Sequence, residues 1–176
     1  APTYKLAKRG WRLLRWLGRH IPGADIHETD LRLTLPGGGV VEIQTAEDPD
    51  SLRAEGIDGV ILDEAAYMAE EAWTHALRPA LSDREGWALF LSTPNGADTW
   101  FHDLWLRAET AADWAHWQRP SSSNPFLKPK ELAAAREDLH PDVYAQEYEA
   151  QFIHRATIRP VRAEWLLPYD PKHRPA

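Results

Sequence analysis

Cysteine is absent from the 176 residues. That excludes disulfides, zinc–thiolate sites and cysteine nucleophiles, and it agrees with a cytosolic setting. No stretch approaches the roughly 18 apolar residues that a membrane helix needs. No basic head followed by an apolar run reads as a signal peptide. Basic residues do not predominate, and the net charge of −7 carries no global sign of a nucleic-acid partner. Internal repeats and low-complexity tracts are lacking. The eight His are scattered, without Cys partners or a paired spacing, so a zinc site is not expected.

What is present fits an ordinary globular chain of one domain or a large part of one, with 43% hydrophobic and 27% charged residues. Nine Trp allow a core of real size. Charge is unevenly spread: residues 1–22 hold Lys5, Lys8, Arg9, Arg12, Arg15 and Arg19 and no acid. This is either a solvated helix face or a basic helix beside DNA.

Along the chain, Leu6, Trp11, Leu14 and Leu17 recur at helical spacing over residues 4–20, before Pro22-Gly23. Residues 26–35 and 40–45, around Pro36-Gly37-Gly38-Gly39, read as a β-hairpin. Residues 46–56 read as a loop. Residues 59–62 and 87–91 are continuous apolar runs, as in parallel strands covered on both faces. A helix over 70–78, stopping before Pro79, separates them. A helix over 99–109, a strand over 114–118, a loop at 121–125 and helices over 130–139 and 141–150 follow. Alternating strands and helices predict an α/β fold with a mainly parallel sheet and flanking helices. In such sheets function sits at the carboxyl ends of the strands.

Two motifs fall there. Val60-Ile61-Leu62-Asp63-Glu64 ends a buried strand in two adjacent acids. Because neighbouring strand side chains point opposite ways, the two acids can take different tasks. In Walker-type nucleotide hydrolases an acid placed like Asp63 positions Mg²⁺ on the phosphates, and one placed like Glu64 polarises the attacking water. The plainer alternative is a pair of acids suited to a helix start. Leu91-Ser92-Thr93-Pro94-Asn95-Gly96 ends the next strand in a hydroxyl pair, with Ser92 28 residues beyond Glu64. Such hydroxyls suit a terminal phosphate, although Pro-Asn-Gly is also ordinary turn chemistry.

Taken together, the motifs resemble the terminase large subunits, the ATP-driven motors that package viral DNA. Gly59-Val60-Ile61-Leu62-Asp63-Glu64-Ala65-Ala66-Tyr67-Met68 looks like that family's Walker B strand with its catalytic glutamate. Ser92-Thr93-Pro94-Asn95-Gly96 looks like its coupling motif. Leu77-Arg78-Pro79-Ala80-Leu81, Asn124-Pro125-Phe126 and Gln146-Glu147-Tyr148 with Phe152 continue the likeness, and Ala1-Pro2-Thr3-Tyr4 looks like a strand end after the phosphate loop. The resemblance covers residues 1–153. It implies a P-loop NTPase fold of the RecA-like (ASCE) type, truncated at its N-terminal strand, with residues 154–176 as a Pro-rich linker. It implies ATP and Mg²⁺ as cofactors, Asp63 as the metal ligand, Glu64 as the catalytic base and Ser92 and Thr93 as ATP-coupling residues. Arg53 stands where the family often carries an arginine finger, although Ala54 replaces the Gly that usually follows. The implied partners are double-stranded viral DNA, the portal protein, the small terminase subunit and further copies in a homo-oligomeric ring, in the bacterial host cytoplasm at the procapsid portal and not in a membrane.

The chain departs from that family in having no Gly-x-x-x-x-Gly-Lys-[Ser/Thr]. Pro36-Gly37-Gly38-Gly39-Val40 lacks the Lys and reads as a hairpin turn. The RNase H-like nuclease domain of the family is also not expected here, and the chain alone is expected to be inactive. Competing readings are a metal-dependent nuclease using Asp58, Asp63 and Glu64, a helicase-like motor, and an inactive prophage remnant.

Overall fold

A computed structural model describes residues 1–53 and 56–154. Ala54 and the predicted linker beyond residue 154 lie outside them. The chain divides into two compact units, Ala1–Thr93 and Pro94–Ala176.

The first unit opens with helix α1 (Tyr4–Gly18), started by Thr3, whose Oγ1 accepts a hydrogen bond from the Leu6 amide at 3.4 Å. Its buried side carries Ala7, Trp11 and Gly18 and lies on the strands β1 (Asp25–His27) and β2 (Arg32–Thr34). Gly18 permits the close approach there, because a Cβ would meet Leu33 Cδ1 at 2.6 Å and displace that buried side chain. Leu33 is 2% exposed, and its burial contributes about 1.5–3 kcal/mol. Strand β3 (Val40–Glu42) pairs antiparallel with β2, and β2 with β1. The Pro36–Gly39 turn thus closes the predicted hairpin between β2 and β3. The first predicted strand, residues 26–35, is instead two strands, broken where Leu31 takes a positive φ of 49° and buries its side chain.

Glu28, in that break, ties α1 to the sheet: Trp11 Nε1 donates to its Oε2 at 2.9 Å and Arg15 to its Oε1 at 3.2 Å. The Trp11 hydrogen bond, with Arg15 and Arg19 adding to it against a desolvation effect, holds the Glu28 carboxyl below its ordinary value of 4.5. A depressed folded value means that stability is gained above the unfolded pKa and lost as pH falls through the folded one. The thermal midpoint of Glu28→Gln should therefore lie below wild type at pH 7 and converge on it as pH drops below about 4.5. A gap that stays constant with pH would contradict this role.

A short 3₁₀ turn (Pro49–Leu52) interrupts the expected loop and places buried Leu52 against the helical segment that follows β4. Strand β4 (Gly59–Asp63) pairs in parallel with β5 (Trp87–Leu91), from Gly59 opposite Trp87 to Asp63 opposite Leu91. Between them runs a π-helical segment (Ala72–Leu77) continuing into α2 (Arg78–Ser82). The predicted stop before Pro79 is therefore corrected. Pro79 falls in the first turn of α2, where its missing N–H is tolerated, and the wider π turn precedes it. Ala72, Trp73, Ala76, Leu77, Ala80 and Leu81 form the buried stripe of this helix.

Burial of the parallel pair differs from the sequence reading. Leu62 is 1% exposed, and Phe90 meets the Trp73 ring edge-on at 4.7 Å. On the opposite face Ile61, Trp87 and Leu91 are 54%, 57% and 46% exposed. An apolar run implied two covered faces, but among the described residues one face is covered. The other three described strands form the antiparallel sheet.

The second unit begins with the segment after β5 and helix α3 (Trp100–Ala108), capped by Thr99. Phe152 gathers Phe101, His102 and Trp105, with ring centroids 6.0, 4.5 and 5.7 Å away. Helices α4 (Pro129–Asp138) and α5 (Pro141–Glu149) follow the 3₁₀ turn Ser121–Ser123. The predicted strand at 114–118 is absent. Trp114 lies under Arg107, His116 packs on Trp105, and Gln118 Nε2 donates to the carbonyls of Glu149 and Ala150 instead of joining a ladder.

Candidate active site

Asp63 and Glu64 leave the carboxyl end of β4 in different backbone states. Asp63 is the last strand residue and is exposed. Glu64 is half-buried and takes a left-handed conformation, φ 59° and ψ 44°. For a non-glycine residue that conformation costs about 1–3 kcal/mol and persists where the surroundings enforce it. It turns the chain sharply out of the sheet into a short 3₁₀ turn (Ala65–Tyr67) closed by Tyr67 N–H to Glu64 C=O at 3.0 Å.

The end of β5 reaches the same turn. Leu91 lies opposite Asp63, and the next residue, Ser92, accepts a hydrogen bond at its Oγ from the Ala66 amide at 3.2 Å. The same hydroxyl donates to the Thr93 carbonyl at 2.9 Å. Asp63, Glu64, Ser92 and Thr93 therefore gather at one end of a parallel strand pair within a single compact unit. Among the described residues, the carboxylates of Asp63 and Glu64 take no hydrogen bond or ion pair.

Residue 1 also lies beside this end. Ala46 N–H donates to the Ala1 carbonyl at 2.9 Å, and the Ala1 amine donates to the Gln44 carbonyl at 3.0 Å. Residue 1 lies within electrostatic reach of Asp63. The sequence does not place residues 44–46 near the site, because the end of a predicted hairpin strand and the start of a loop carry no mark of what lies beside them.

Two further residues singled out in the sequence make ion pairs of their own. Arg53 ends the Pro49–Leu52 turn, is 60% exposed and donates from Nε to Asp50 at 2.9 Å. Asp58 precedes β4 at its other end and pairs with Arg84 at 3.5 Å. Asp58 and Asp63 are five residues apart along the extended chain, a span of about 16 Å. A two-metal nuclease site needs carboxylates around ions roughly 4 Å apart, so Asp58 cannot join one with Asp63 and Glu64. Among the described residues no group of three His, Asp or Glu could share a metal ion.

Paired strand ends carrying two acids and two hydroxyls belong to an α/β protein with a parallel strand pair, whose carboxyl edge is the candidate site. The comparisons with known proteins narrow that class. The family description "Terminase large subunit, T4likevirus-type, N-terminal" matches residues 17–158. The terminase large subunit of Escherichia phage T5 is 30% identical over 158 residues, covering 86% of this chain and 36% of that protein. That of Thermus phage G20c is 41% identical over 86 residues, covering 46% of this chain and 18% of that protein. The chain belongs to the terminase large subunit family, at its N-terminal part. It spans roughly a third or less of the length of these relatives.

Solved structures agree. The large terminase ATPase domain of Thermus phage P74-26 superposes with a TM-score of 0.70 at 28% identity, over 86% of this chain and 74% of that one. A large terminase from another thermophilic bacteriophage, at 19% identity and a TM-score of 0.66, shares the fold over 80% of this chain and 36% of its own.

Proposed function

We propose that residues 1–153 are part of the ATPase motor of a phage terminase large subunit, which hydrolyses ATP to drive double-stranded viral DNA into a procapsid. The parent fold is of the P-loop NTPase type, RecA-like (ASCE). In the complete protein the motor acts as a homo-oligomeric ring with the portal protein and the small terminase subunit, in the host cytoplasm. The observation that carries this reading is the in-register parallel pairing of β4 and β5, which brings Asp63, Glu64, Ser92 and Thr93 to one edge.

The residues fit a Mg²⁺-nucleotide. Asp63 offers an exposed carboxylate without a protein partner among the described residues, suited to a hard cation and its waters. Mg²⁺, when bound there, neutralises charge on the phosphate oxygens. Glu64 takes the proton of the attacking water, the task of a carboxylate held beside the site but not ion-paired. Arg53, exposed at the surface, suits a neighbouring subunit's nucleotide better than its own. The exposed side of α1, with Lys5, Lys8, Arg12 and Arg19, supplies charge for phosphate contacts to DNA, while Arg15 is tied to Glu28.

Asp63→Asn tests the metal assignment. In the complete subunit it should raise the Mg²⁺ concentration for half-maximal hydrolysis about tenfold or more, as losing one charged interaction of about 1.5–3 kcal/mol does. An unchanged Mg²⁺ dependence would remove Asp63 from this role.

A further inference from the structure

The turn after Glu64 has an orphan donor. The first N–H groups of a helical turn lack partners within it, and the residue that starts this one, Glu64, provides no side-chain cap. Ala65 is 0% and Ala66 6% exposed, so water cannot readily take the place of a cap. The acceptor comes from the neighbouring strand end: Ser92 Oγ, 3.2 Å from the Ala66 nitrogen and 26 residues away in sequence. Its own proton goes to the Thr93 carbonyl at 2.9 Å. Both capacities of the Ser92 hydroxyl are thus engaged with backbone, whereas the Thr93 hydroxyl makes no hydrogen bond among the described residues.

We infer that Ser92 is a positioning residue. It caps Ala66, holds the left-handed turn that aims Glu64, and leaves Thr93 as the hydroxyl available to a phosphate. This rests on the proposed role of Glu64 and divides the hydroxyl pair into two tasks. A movement at the end of β5 then shifts the Glu64 turn directly, through one hydrogen bond.

Hydrogen exchange at the Ala66 amide, resolved by fragmentation mass spectrometry on the 176-residue chain, tests the inference. Ser92→Ala should speed exchange at Ala66 about tenfold or more, the equivalent of losing one buried hydrogen bond, while Leu62 and Phe90 amides in the strand centres keep their rates. Ser92→Thr, which keeps the hydroxyl, should restore protection, and Thr93→Val should leave Ala66 protected. The inference is overturned if Ser92→Ala leaves Ala66 unchanged, if Leu62 and Phe90 accelerate equally, if Ser92→Thr fails to restore protection, or if Thr93→Val acts as Ser92→Ala does. No nucleotide enters this readout, so its failure leaves the hydrolytic reading of Glu64 standing, and loss of that reading leaves the cap standing.

Discussion

Glu64→Gln in the complete large subunit is expected to keep ATP binding and to lose about 10²-fold or more of the hydrolysis rate, the scale of a lost general base. Glutamine matches glutamate in shape but cannot accept a proton. Among the described residues the Glu64 carboxylate makes no hydrogen bond or ion pair, so the exchange removes no structural contact. The left-handed backbone at residue 64 is equally costly for both side chains, so the turn survives. Single-turnover hydrolysis beside an equilibrium binding titration separates the two effects. Unchanged turnover would exclude Glu64 as the base, and loss of binding together with turnover would make it a structural residue instead.

The isolated 176-residue chain is expected to self-associate and to bind Mg-ATP at least about a thousandfold more weakly than a micromolar site, a difference of about 4 kcal/mol. Two physical causes combine. Ile61, Trp87 and Leu91 leave an apolar face open, and among the described residues β4 and β5 pair with each other alone, each with a free outer edge. Open apolar faces and free edges promote association between chains. For ATP, the sequence supplies Asp63 for the metal but no glycine-rich loop with a Lys to cradle the phosphates. Sedimentation over a range of concentrations should show mass rising with concentration, and Ile61→Lys should suppress the rise. A monodisperse monomer with micromolar ATP affinity would contradict both parts.

The two strands that build the site were legible because residues 59–62 and 87–91 are continuous apolar runs of strand length ending in polar chemistry. Their parallel pairing followed from the helix between them. Which face is covered was not legible, since an apolar run reports hydrophobicity and not what is packed against it; Ile61 and Leu62 look alike in sequence and differ from 54% to 1% in exposure. Pro79 misled because its helix-breaking effect depends on the turn before it, and a π turn has no short sequence mark. The aromatic run at 114–118 has strand propensity, but Trp114 and His116 find partners on α3 while Trp117 stays exposed, and tertiary packing decided against a ladder. At the candidate site, the meeting of Asp63 and Glu64 with Ser92 and Thr93 at one end of the strand pair could be read from motif order. The left-handed turn at Glu64 and the Ala66–Ser92 cap could not, because both depend on a contact between residues 26 apart.

The most direct test is a structure of the complete large subunit with Mg²⁺ and ADP–aluminium fluoride, which imitates the phosphoryl group in transfer. The metal should lie at the carboxyl end of β4, bound by Asp63 at about 2 Å or through one water. A water in line with the fluoride should sit about 2.6–3.2 Å from the Glu64 carboxylate, with Thr93 facing the fluoride and Ser92 still on Ala66. A nucleotide bound away from the ends of β4 and β5, with Asp63 and Glu64 left facing solvent, would contradict the account.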